Sequence, residues 1–184
     1  MPGLANSFRI TNMLDTLIRS KTRLNLLLRF FLNPGNSAYL RELSKEFGTS
    51  TNSVRIELNR FEKAGLIRSQ KEGNKKMYSA NTASPLYPEI QKLTFNYFGI
   101  DQIVDRVIIK LGNVEAVYLT GELAKGLEHP VADITLVGKD IDREYLVRLT
   151  EKAQKQLGKH IRTLVYESDE EYELELPNVL IYGR

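Results

Sequence analysis

Thr51, Asn52, Arg55, Ile56, Asn59 and Arg60 interleave with Val54, Leu58 and Phe61, which recur at intervals of four and three. The second set makes the apolar stripe of a helix, so the first set occupies the faces that remain. Those types suit base edges. An arginine donates two hydrogen bonds to guanine, an asparagine pairs with adenine, and an aliphatic side chain meets the methyl of thymine. Arg55, Asn52 and Ile56 fill these roles with Thr51 beside them, whereas Asn59 and Arg60, farther along, suit phosphate. Lys71, Asn74, Lys75 and Lys76 then cluster around Gly73, with Arg68 nearby. Alone, such a cluster is solvated charge on a hairpin. After two helices joined by a short turn, it is a wing able to grip phosphates or enter a minor groove.

The elements that must hold these residues are legible in the spacing. Leu14, Leu17, Ile18, Leu24, Leu27, Leu28 and Phe31 predict helix from Asn12 to Leu32, interrupted near Ser20 and stopped by Asn33, Pro34 and Gly35. Leu40, Leu43 and Phe47 predict a helix from Ser37 to Phe47 that ends at Gly48. Thr49 and Ser50 are suited to cap the next helix, Thr51 to Ala64, which Gly65 closes. Leu66 to Lys71 and Lys75 to Ala80 read as a hairpin. Asn81 to Pro88 is a connector, followed by helices Glu89 to Phe98 and Asp101 to Leu111. Beyond lie strand Val114 to Thr120, strand Ala132 to Val137, helix Asp142 to Leu157 and strand Ile161 to Tyr166. The acidic stretch Ser168 to Leu176 is expected as a short helix, and Val179 to Tyr182 as a last edge strand. The fold class expected is α/β or α+β, with the chain divided at 98/99.

Composition narrows the chemistry. The 184 residues include no cysteine, which removes disulfides, thiolate metal sites and thiol nucleophiles together. The two histidines, His129 and His160, stand apart from any ligand cluster, so neither a metal nor a cofactor is expected. The apolar stretch Leu24 to Leu32 is interrupted by Asn25 and Arg29 and falls short of the roughly 20 residues of a membrane span. No secretory pattern opens the chain, so a cytoplasmic location without membrane contact is expected. The net charge of +3 divides unevenly, +8 over residues 1–98 and −5 over the rest, which directs attention to a polyanion partner for the first half.

Arg41 through Tyr78, RELSKEFGTSTNSVRIELNRFEKAGLIRSQKEGNKKMY, resembles the winged helix of the ArsR and MarR classes of bacterial regulators, most closely in the FEKAGLI run. The resemblance implies a transcriptional regulator that binds double-stranded DNA. It further implies a homodimer whose contacts come from the N-terminal helices and those after the wing, with Leu24 to Leu32 and Leu93 to Phe98 as the apolar surfaces. The metal-sensing cysteines of many ArsR-class members are missing here.

The run VEAVYLTGELAKGLEHPVADITLVGKD resembles the nucleotidyltransferase superfamily signature, a strand leading to Gly-Ser and then a strand with two aspartates one residue apart. In that pattern the turn holds a nucleotide phosphate and the carboxylates hold magnesium. Gly121 and Asp133 match. Glu122 replaces the serine, Thr135 replaces the second aspartate, and Ile161 to Tyr166 offers no third carboxylate before Glu167. The expectation is a degenerate domain that is not an enzyme and serves an unknown ligand, a protein partner or assembly. Two alternatives stand beside it: an active nucleotidyltransferase targeted by its winged helix, and a protein-binding adaptor.

Overall fold

A computed structural model describes residues 14, 16–111, 113–168 and 171–183. Residues 12, 13 and 15 of the first expected helix, and 169 and 170 of the acidic stretch, lie outside them. The fold is mixed α+β, with two sheets and helices around them.

Helix α1 (Lys21–Phe31) begins at Ser20, whose hydroxyl accepts the Arg23 N–H at 3.2 Å, and this is the expected interruption of the first helix. Ser37–Tyr39 is strand β1, and the helix expected from Ser37 begins only at Leu40, as α2 (Leu40–Glu46). The cause is non-local: Ser37, Ala38 and Tyr39 pair with Ser79, Tyr78 and Met77. Helix α3 (Thr51–Lys63) starts at Ser50, whose Oγ accepts the Ser53 N–H at 3.1 Å. Strands β2 (Ile67–Glu72) and β3 (Lys75–Ala80) pair antiparallel, with Glu72 opposite Lys75 across a two-residue turn where Gly73 adopts a φ of 57°. The resulting sheet, in the order β1-β3-β2, together with α1 to α3, is a winged helix.

Helix α4 (Tyr87–Phe98) leads into α5 (Ile100–Ile103), a π-helical turn at Val104–Ile108 and α6 (Ile109–Leu111). The single helix expected over 101–111 is therefore three short pieces. Strand β4 (Val114–Thr120), helix α7 (Gly121–Ala124), strand β5 (Val131–Gly138), helix α8 (Arg143–Leu157), strand β6 (His160–Glu167) and strand β7 (Val179–Gly183) follow. The second sheet has the order β6-β5-β4-β7, with β5 and β6 parallel across α8 and the other pairs antiparallel. Strand β7 lies at the edge, as its sequence predicted. The acidic stretch is not helical at its described residues: the Tyr172 ring stacks on Tyr166 with centroids 5.4 Å apart, which docks an irregular segment on the sheet instead.

Two apolar cores form, and α1 belongs to both. Leu26, Phe30 and Phe31 pack with Leu43, Val54, Leu58, Phe61 and Tyr78 in the winged helix. Leu24, Leu28 and Leu32 pack with Tyr97, Phe98, Leu119 and Leu123 against the second sheet. The apolar surface of Leu24 to Leu32, expected to serve a second protomer, is thus consumed within the chain.

Polar contacts lock the same junction. Asn33 Nδ2 donates to the carbonyls of Ala124 at 3.3 Å and Asn178 at 2.7 Å, while Asn36 Nδ2 donates to those of Arg29 at 2.9 Å and Ala124 at 3.2 Å. Gly126, at φ 76°, lies so close to α1 that a Cβ would stand 2.6 Å from Arg29 Cα and against the Leu28 carbonyl. A side chain there needs the junction to open.

Arg23 fixes α1 to α3. Its Nε donates to Glu57 Oε2 at 2.9 Å, and Ser20 and Arg60 donate to the other carboxylate oxygen. Burial pushes Glu57 up, but the Arg23 hydrogen bond and charge, with Arg60 and Ser20, hold it below its ordinary 4.5. A carboxylate depressed in the folded state contributes stability above the unfolded pKa and loses it as pH falls through the folded one. The melting temperature of the chain is expected to fall as pH drops below the ordinary carboxylate value, and Glu57→Gln should weaken that acid dependence while costing about 1 to 3 kcal/mol near neutrality. Equal acid slopes for the two proteins would refute the assignment.

Gly126→Ala is expected to destabilise more than Gly48→Ala. Both glycines have positive φ, yet Gly48 has nothing within 4 Å of its would-be Cβ, so only the backbone term of about 1 to 2 kcal/mol applies there. Chemical denaturation of the two variants measures the difference.

Candidate nucleic-acid interface

The stripe of α3 turns inward as expected: Val54 and Leu58 are fully buried and Phe61 nearly so. Glu57 is also buried, engaged by Arg23 and Arg60. Thr51, Asn52, Arg55, Ile56, Asn59 and Arg60 are all exposed, and so are Lys71, Asn74, Lys75 and Lys76 on the hairpin. Ile56 is 45% exposed, unusual for an isoleucine on a helix that packs well elsewhere.

Five of these residues meet. Arg55 and Asn59 of α3 line a groove of about 770 Å³ with Asn74, Lys75 and Lys76 of the wing, and Tyr39, Leu40, Arg41, Glu42 and Tyr78 complete it. Four cations against one carboxylate make its lining strongly positive. Thr51, Asn52, Ile56, Arg60 and Lys71 are not part of this lining. Arg41 and Tyr39 were missed by sequence reasoning, because the interval that marks Leu40 and Leu43 as apolar gives no sign of what stands across from them in β3. A basic residue at the start of the first helix of the turn was the available signal for Arg41.

The cations differ in their engagement. Arg60 Nη1 donates to Glu57 at 2.9 Å within α3, on the carboxylate that Arg23 holds from α1. Lys76 Nζ lies 3.3 Å from Glu62, whose carboxylate also accepts the Ser69 hydroxyl. The Ser69 hydrogen bond is the main cause holding Glu62 below its ordinary value, against the opposing effect of burial and with further help from Lys76. Lys75 Nζ sits 5.3 Å from the centre of the Tyr39 ring, and the Tyr39 hydroxyl donates to Glu72 Oε2 at 2.5 Å.

The second half brings its matched positions together and then occupies them. Gly121 lies against Asp133, where a Cβ would approach Oδ2 to 2.6 Å. Arg162 Nε donates to Asp133 Oδ1 at 2.5 Å, and this hydrogen bond raises the arginine further. Lys125 Nζ bonds Glu122 at 2.5 Å, and Thr135 is buried. Glu167 pairs with Gly138 in the β5/β6 register, five positions along from Asp133. At about 3.3 Å per residue that is roughly 17 Å from Asp133, too far to share an ion. Among the described residues, no group of three or more His, Asp or Glu side chains is arranged to hold a metal. His129 is a loop residue whose Nδ1 accepts the Val131 N–H at 3.2 Å. Among the same residues, no helix is long and apolar enough to cross a membrane.

Residues 33–82 match the family described as PaaX-like protein, a family of winged-helix-type transcriptional regulators. The match begins just after α1, spans the helix-turn-helix and the whole wing, and stops well before β4. No curated protein matches the chain. Among solved structures, the chain is similar to reduced HlyU from Vibrio cholerae N16961, with 16% identity and a TM-score of 0.34 over 57% of this chain and 96% of that one. Nothing in these comparisons supports the nucleotidyltransferase resemblance.

Proposed function

We propose that this chain is a DNA-binding transcriptional regulator that inserts α3 into a major groove and grips the flanking backbone with its wing. The observation that carries this reading is the single positive groove shared by Arg55 and Asn59 of α3 and Lys75 and Lys76 of the wing. A helix-turn-helix presents the N-terminal part of its second helix to base edges. Thr51, Asn52, Arg55 and Ile56 are the exposed residues of that part, so they are the readers, while Asn59, Arg60, Lys71, Asn74, Lys75 and Lys76 serve the phosphates.

Residues 1–98 form the DNA-binding unit in this reading, and residues 99–184 a non-catalytic unit for ligand sensing, partner binding or assembly. The regulator acts as a cytoplasmic homodimer, so its operator is nearly palindromic, with half-sites about one helical turn apart. With Leu24 to Leu32 buried inside the chain, Leu17, Leu86, Leu93 and Ile109 are among the exposed apolar side chains that could serve the dimer contact instead.

Fluorescence anisotropy at near-physiological salt, comparing the DNA upstream of the protein's own coding region with an unrelated duplex, tests the reading. Preferential binding is expected, and Arg55→Ala should remove about 1 to 3 kcal/mol of the preference. Equal weak binding to both duplexes would leave only nonspecific attraction, and binding to neither would overturn the proposal in favour of a protein-binding adaptor.

A further inference from the structure

The wing overhangs its support. Strand β1 pairs only with Met77, Tyr78 and Ser79, so the hairpin from Lys71 to Lys76 extends past the three-stranded part as a two-stranded ribbon. Isolated ribbons of that kind are marginal in water, and the position of their tips has to be fixed from outside. On one side α3 does this, through Glu62 to Lys76 and Ser69.

On the other side the contact is Tyr39. It is the last residue of β1, directly opposite Met77, and its backbone N–H donates to Glu42 at 3.2 Å where α2 begins. One side chain then touches both flanks of the turn. Its hydroxyl donates to Glu72 at 2.5 Å, and its ring carries the ammonium of Lys75 at 5.3 Å. Glu72 and Lys75 are cross-strand partners at the two ends of that turn. Tyr39 also lines the groove that holds Arg41, Arg55 and Asn59.

We infer that Tyr39 is a positioning residue for DNA binding, which fixes the overhanging wing tip so that Lys75 meets a backbone phosphate of the duplex read by α3. This rests on the DNA-binding reading above. Tyrosine does the work through two chemically separate handles: the hydroxyl occupies the one carboxylate at the tip, which would otherwise swing toward DNA phosphate, and the ring face holds the lysine without neutralising it.

The test uses the full chain and a duplex enriched from a randomised pool by the wild-type protein, with affinity measured across a salt series. Lys75→Ala is expected to weaken binding about three- to tenfold and to reduce the salt slope by about one counterion. Tyr39→Ala removes no charge, yet it is expected to reduce the slope by the same amount, and the double variant should bind only about two- to threefold worse than Lys75→Ala alone, the share that belongs to the Glu72 bond. Tyr39→Phe keeps the ring in β1 and loses only the Glu72 bond, so it should keep the wild-type slope and lose about two- to threefold in affinity, while Glu72→Gln, which still accepts the hydroxyl, should behave as wild type. Circular dichroism and melting temperature confirm the fold of each variant. An unchanged slope for folded Tyr39→Ala, or additive losses in the double variant, would overturn the role of Tyr39 alone. Failure of the wild type to enrich or bind any duplex would overturn the DNA-binding reading, and this inference with it.

Discussion

Helix α1 has to be buried on two sides at once, and the rest of the chain is arranged around that constraint. An amphipathic helix of eleven residues ordinarily offers one apolar stripe to one core. Here Leu24, Leu28 and Leu32 recur at intervals of four along one face and enter one core, while Leu26 and Phe30 lie on the opposite face and, with Phe31, enter the other. Such a helix is stable only when something covers each face, so the winged helix and the second sheet depend on each other. The carbonyl of Ala124, held by Asn33 and Asn36, and the bare backbone of Gly126 are the close contacts that this double burial makes possible.

The same constraint assigns work to the charged residues of the interface. Glu57 and Glu62 stand on the helix proposed to read DNA, where exposed carboxylates would oppose a phosphate backbone. Each is drawn into the protein: Glu57 by Arg23, Arg60 and Ser20, Glu62 by Ser69 and Lys76. Arg60 and Lys76 therefore have a structural partner already, whereas Arg41 and Arg55 line the groove beside the lysines of the wing. A positive groove results from a chain whose overall charge is only +3.

In the second half, the carboxylates at the positions singled out in the sequence have protein partners. Asp133 is paired with Arg162 and Glu122 with Lys125, and the remaining carboxylate, Glu167, accepts the Asp140 N–H at the far end of the sheet. The surface that would flank the turn is pressed on α1. The sheet and the Gly126 turn dock against α1 of the winged helix.

The sequence by itself determined the local elements and the exposed face of α3, because helical spacing, capping residues and turn glycines act within a few residues of one another. The Ser50 cap, the tight hairpin around Gly73 and the inward set Val54, Leu58 and Phe61 all follow from short-range rules. Tertiary structure alone decided whatever depends on distant pairing. Ser37 to Tyr39 became a strand because β3, some forty residues later, offered an edge. Leu24 to Leu32 became an internal seam because the second sheet folds back on it. Tyr39 and Arg41 joined the groove because the wing curls over the start of α2. Local spacing records which face of an element is apolar, but not which partner covers it, since that partner comes from elsewhere in the chain and is fixed only when the cores close.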